Sequence, residues 1–132
     1  MNTSLMAARQ YLGTQVQSSS PAERVVLLYD AALGGLAAAR EAMARRDIPA
    51  RRAGMSKAMA IVSELQSTLD FDRGGALATE LDRLYTWMVE RLTDAVVRQD
   101  ARPIDEVYPV LDTLADAWRT IAKQTIPAEA PR

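Results

Sequence analysis

Three observations predict an all-α fold, an antiparallel up-and-down four-helix bundle in a single domain over residues 1–132. Apolar residues recur at intervals of three and four over four long stretches, and each stretch has a start signal or a break before it. No stretch alternates with the period of two that a half-buried strand requires. A chain of 132 residues suits one core, which at this size buries roughly two thirds of the surface exposed by the unfolded chain.

Residues 1–19 hold Leu5, Met6, Tyr11, Leu12 and Val16 in a polar matrix, too sparse for a core element, and are expected to be a flexible N-terminal segment. Ser20-Pro21-Ala22-Glu23 then combines an N-cap serine, a proline at the first helical position and a glutamate placed to close a capping box. The first helix should run to about Arg45 and bury Val25, Leu28, Tyr29, Ala32, Leu36, Ala39 and Met43. Val26, Leu27 and Leu33 make its first half apolar on more than one side, as fits a helix covered on both flanks.

Asp47 can cap a second helix, with Pro49 in the first turn where no intrahelical donor is lost and Met55, Met59, Val62, Leu65 and Leu69 as its stripe. Arg51, Arg52 and Lys57 follow the Arg45-Arg46 pair closely, and cations near a helix N-terminus oppose its dipole. This corner reads either as solvated surface or as an anion-binding cluster.

Asp70 to Gly74 reads as a connection into a third helix, Gly75 to Arg98. Leu77, Leu81, Leu84, Met88, Leu92 and Ala95 wind onto one side of it, with Tyr85 and Val96 on a flank. Trp87 stands apart among charges, either as a rim aromatic or as part of a second contact surface. Asp100 mirrors Asp47 ahead of a fourth helix striped by Ile104, Val107, Tyr108, Leu111, Leu114, Trp118 and Ile121, with a bend expected at Pro109. Residues 124–132, with two prolines and no periodicity, are expected to be a flexible tail.

Composition narrows function. A net charge of −1 gives no field to gather nucleic acid, and no apolar run approaches the roughly 20 residues of a membrane span. Cysteine and histidine are both absent, which removes thiol nucleophiles, disulfides, imidazole ligands for metals and histidine acid-base chemistry. The Gly34-Gly35 and Gly74-Gly75 pairs lack the rest of any phosphate-binding fingerprint. The expectation is a protein without cofactor or catalytic role. Without an export signal at its start, it is expected in the cytoplasm.

Tyr11-x4-Val16-x-Ser18-Ser19-Ser20-Pro21, Leu27-Leu28-Tyr29-Asp30 and Ile61-Val62-x-Glu64-Leu65-x3-Leu69-Asp70 stand in one order along the chain. Gly74-Gly75, Leu81-x2-Leu84-Tyr85-x2-Met88, Arg91-Leu92 and Ala117-Trp118 continue it. In order and spacing this arrangement resembles the flagellar secretion chaperone family FliS over residues 11–122. The chain departs from the family pattern at Ala31, where glycine is usual, and at Trp87, where tyrosine is common; Gly34-Gly35 is expected to loosen the first helix.

The resemblance implies a non-enzymatic chaperone that binds the C-terminal segment of flagellin, prevents premature polymerisation and delivers it to the flagellar export apparatus. It implies no nucleic-acid partner and no membrane insertion, and leaves room for a homo-oligomer. Candidate partner-binding residues are Tyr11, Val16, Tyr29, Ile61, Leu65, Leu84, Tyr85, Trp87, Met88 and Trp118. Tyr11, helped by Leu12 and Val16, is expected to serve either as a displaceable lid on the client groove or as an arm that touches the client. The alternative function is a structural or regulatory bundle that self-associates through its apolar flanks without a client.

Overall fold

The structure is a computed structural model and describes residues 20–129. Those residues form four helices and no strand: α1 (Pro21–Arg45), α2 (Ile48–Ser67), α3 (Phe71–Arg98) and α4 (Arg102–Glu129). The first begins as its sequence dictates. The Ser20 hydroxyl accepts from the Glu23 amide at 3.2 Å, and the Glu23 carboxylate accepts from the Ser20 amide at 2.9 Å, so two otherwise orphaned donors are satisfied.

Asp47 caps α2 by accepting from the Ala50 amide. Between α1 and α2 the chain reverses through Arg46, whose φ of 60° places it in the left-handed region that ends many helices. Asp100 accepts from the Arg102 amide at the start of α4.

Two boundaries and one expected bend differ from the sequence reading. Asp70 takes the Asp72 and Arg73 amides, which starts α3 at Phe71 and turns the expected connection into a helical turn. That turn is set off from the rest of α3 at Gly75, whose φ of 51° and ψ of −123° suit only a residue without a side chain. By contrast, α4 runs unbroken through Pro109, where the bend was expected. Pro109 and Asp105 are both exposed, so the carbonyl that loses its helical partner lies on the wet side. The same helix continues past Lys123 to Glu129, where the reading had placed a tail. Residues 1–19 and 130–132 lie outside the described residues.

The helices form a square, each packed against the two beside it and not against the one diagonally opposite. Tyr29, Leu36, Val62, Met88, Leu92, Ile104, Val107 and Leu111 fill the centre. Side-chain bonds fix the antiparallel register on three sides. Arg40 to Asp105 and Arg119 to Asp30 join α1 to α4, Gln66 to Asp82 and Thr86 joins α2 to α3, and Arg91 to Glu106 joins α3 to α4.

The fourth side, α1 to α2, is held by close approach. A β-carbon on Gly54 would lie 2.5 Å from the Gly35 carbonyl oxygen and 2.9 Å from the Ala39 amide, and one on Gly35 would lie 2.8 Å from the Gly54 carbonyl. Gly35 therefore tightens the bundle rather than loosening α1, as was expected of the glycine pair.

Candidate functional site

Across the centre, the Tyr29 hydroxyl on α1 and the Tyr85 hydroxyl on α3 share a hydrogen bond of 2.5 Å, bridging diagonally opposed helices. From α4 the half-buried Trp118, whose indole can only donate, lies beside the Tyr29 hydroxyl. Burial pushes the Tyr29 hydroxyl above its usual pKa, and the bond to Tyr85 and the nearby Trp118 indole oppose that rise. Tyr85 is also pushed up, by burial first and then by its bond to Tyr29. Both stay neutral at ordinary pH, and no buried side-chain polar atom among the described residues lacks a partner.

These contacts divide the residues proposed from sequence. Tyr29, Leu65, Tyr85 and Met88 are core, with at most 4% of their surface open, so the closed bundle offers them to no partner. The helical spacing that made them apolar candidates is the same for core and contact residues, which is why sequence could not separate the two. Ile61 is half-buried, seven residues after Gly54 and thus on the α1-facing flank of α2. Leu84, Trp87 and Trp118 are half-buried on α3 and α4 and pack against the core. Tyr11 and Val16 lie outside the described residues.

The seam between α3 and α4 is where apolar surface reaches solvent. Arg91 identifies the α4-facing flank of α3, because its guanidinium grips the Glu106 carboxylate at 3.1 and 2.9 Å. Leu84 and Leu77 lie seven and fourteen residues before Arg91, on the same flank. The reading had placed Leu77 in the core; it is 63% exposed, because α4 leaves this flank uncovered. Ile121, expected in the stripe of α4, is 39% exposed.

Register brings the two together. From the Arg91–Glu106 bond, Leu77 is about 21 Å back along α3 and Ile121 about 22 Å forward along α4, which puts them at one level of an antiparallel pair. Val110 and Leu114 on α4 and Leu84 and Trp87 on α3 line the seam between, half-buried. Sequence reasoning took Leu77 and Ile121 for core; the signal available was that each stands at the outer end of its stripe, one of them beside Gly74-Gly75.

Fold and surface together define a small helical-bundle scaffold with an apolar seam open along one side. The family model for the flagellar protein FliS matches residues 4–125, and the chain belongs to the FliS family. It is 38% identical over 108 residues to the flagellar secretion chaperone FliS of Salmonella typhimurium, covering 81% of this chain and 80% of that protein. To the flagellar secretion chaperone FliSB of Pseudomonas aeruginosa it is 37% identical over 122 residues, covering 89% and 97%. With FliS of Bacillus subtilis the identity is 29% over 119 residues.

Among the described residues, no helix is long and apolar enough to cross a membrane, and no cluster of acidic side chains could hold a metal ion.

Proposed function

We propose that the chain is a cytoplasmic, non-enzymatic chaperone that holds the C-terminal segment of flagellin, keeps it from polymerising early and delivers it to the flagellar export apparatus. One observation supports this beyond family membership: the α3–α4 seam leaves Leu77 and Ile121 exposed at one level, with Leu84, Trp87, Val110 and Leu114 half-buried beside them. Such a seam suits an amphipathic segment that folds as it binds, laying apolar residues at helical spacing into a groove between helices. The N-terminal segment, through Tyr11 and Val16, acts on the same seam.

Calorimetry with the purified protein and a C-terminal flagellin peptide from the same cell tests the reading. Stoichiometric binding with a negative heat-capacity change, and a peptide that becomes helical, is the expected result. A peptide that stays unbound while the protein self-associates tightly would favour a self-assembling bundle without a client.

A further inference from the structure

The overall charge of −1 conceals a separation along the bundle. One end holds the α1–α2 and α3–α4 turns. Residues 40–57 and 91–106, which build it, carry nine Lys and Arg against six Asp and Glu, a net +3. The rest of the described chain carries five against eleven, a net −6.

All six carboxylates of the basic end are already committed. Glu41 and Asp47 pair with Arg45, Asp94 and Glu106 with Arg91, Asp100 with Arg102 and Asp105 with Arg40. Arg46, Arg51, Arg52 and Arg98 have no acidic partner among the described residues, and all but the half-buried Arg51 are exposed. Arg51 and Arg52 stand near the start of α2, whose first turn has no acidic residue, so at the positive end of the helix dipole only the Asp47 cap, already paired with Arg45, offsets them. An anion placed there would relieve both.

The shape of this end is suited to a peptide. Arg46, Arg51, Asp47, Met43, Ile48 and Gln99 line a recess of about 310 Å³, and the neighbouring Arg98 lines a second of about 190 Å³ beside the paired carboxylates Asp94, Asp100 and Glu106. Ile48 is 48% exposed, an apolar contact in the recess it shares with Arg46 and Arg51. The exposed large apolar residues of this end are Ile48, Val96 and Val97, none of them aromatic, so the stacking platform that single-stranded nucleic acid uses is missing.

We propose that this end is a second docking surface, which takes an acidic polypeptide segment with an apolar residue among its carboxylates. It is separate from the seam: Leu77 and Arg98 are about 31 Å apart along α3. A bundle can therefore hold a client on its side and an acidic partner on its end at once. The proposal does not depend on the client's being flagellin.

The test is fluorescence anisotropy of the full chain with a labelled heptapeptide of six glutamates around a central leucine. A glutamine counterpart, a single-stranded oligonucleotide and sedimentation of the protein alone complete the set. The glutamate peptide should bind at about 0.1 M ionic strength and be released at about 1 M, where screening shortens from about 10 Å to about 3 Å. Arg51→Glu/Arg52→Glu, which favours the helix dipole and so should keep the fold, should weaken it at least about tenfold. Lys123→Glu, a charge reversal away from this end, should leave binding unchanged.

Equal binding of the glutamine peptide, equal loss with Lys123→Glu, or no binding by the wild type would each overturn the proposal. So would an oligonucleotide that binds more tightly and displaces the peptide, which would make the surface one for nucleic acid. Concentration-dependent association that Arg51→Glu/Arg52→Glu abolishes would instead make the occupant a second copy of the chain.

Discussion

The α1–α2 and α3–α4 seams lie on opposite sides of one square bundle and are built from opposite materials. Gly35, Ala39, Gly54 and Ala58 let the backbones of α1 and α2 approach until no further atom fits. On the other side, Leu77, Leu84, Trp87, Val110, Leu114 and Ile121 keep α3 and α4 apart and remain partly wet. Small residues close a seam and fix it; large ones leave apolar surface that a third helix can cover. The contrast explains how one short bundle can be rigid enough to last and open enough to bind.

The largest effect expected from breaking it comes at the closed seam. Gly54→Ala puts a methyl group 2.5 Å from a backbone oxygen that cannot swing away, so α1 and α2 must separate. A loss of about 3 kcal/mol in urea unfolding is predicted. Unchanged stability would show that the close approach is not what holds these helices.

Next is the diagonal bridge between the two halves. Tyr29→Phe strands the Tyr85 hydroxyl in a buried setting and should cost about 1–3 kcal/mol. Tyr29→Phe with Tyr85→Phe removes both hydroxyls and should cost less than the two single changes together. Strict additivity would deny the coupling.

The same pair sets an alkaline limit. Both hydroxyls have folded pKa values raised above the unfolded one, so their neutral forms favour the fold fully below about pH 10. That contribution is lost as pH rises beyond the unfolded value toward the folded ones. The urea midpoint should therefore fall above about pH 10 and fall less in the double phenylalanine variant.

At the open seam, binding and stability should part company. Leu77→Lys changes a side chain that is 63% exposed, so stability should move by no more than about 0.5 kcal/mol. Affinity for the flagellin peptide should nevertheless drop about tenfold, measured by calorimetry. Normal binding would place Leu77 outside the client's path, and a variant that unfolds would show that Leu77 holds the fold rather than a client.

The smallest effect returns to the glycine pair. Gly34→Ala adds a methyl group with nothing within 4 Å, inside a helix, and should stabilise by about 0.5–1 kcal/mol. Adjacent glycines would then answer the same substitution with opposite signs, Gly35→Ala being destabilising. Chemical denaturation of the two variants side by side decides it.

Where the chain states its structure in local chemistry, it could be read. Ser20-Pro21-Ala22-Glu23 announces the start of α1, Asp47 that of α2, and the three-and-four spacing announces the stripes. Where two elements must meet, it could not. Gly35 looked like a flaw because its partner, Gly54, is remote in sequence, and the pair has meaning only once the helices lie together. Leu77 and Ile121 fit their stripes but fall where two neighbours part, and periodicity records which face is apolar without recording what covers it. Tyr29 and Tyr85 carried a family resemblance that suggested contact with a partner, and no local signal in the chain told that their hydroxyls meet each other in the core. Asp70 to Gly74 read as a connection because glycine serves both a loop and a break within a helix, and only the φ of Gly75 tells them apart.

The central claim is that the open seam, and not the closed one, receives the client. Nuclear magnetic resonance of the labelled chain during titration with the C-terminal flagellin peptide tests this residue by residue. Shifts concentrated at Leu77, Leu84, Trp87, Val110, Leu114 and Ile121 are predicted, with Gly35, Ala39, Gly54 and Ala58 unmoved. Shifts centred on the α1–α2 side with the α3–α4 seam silent would contradict it.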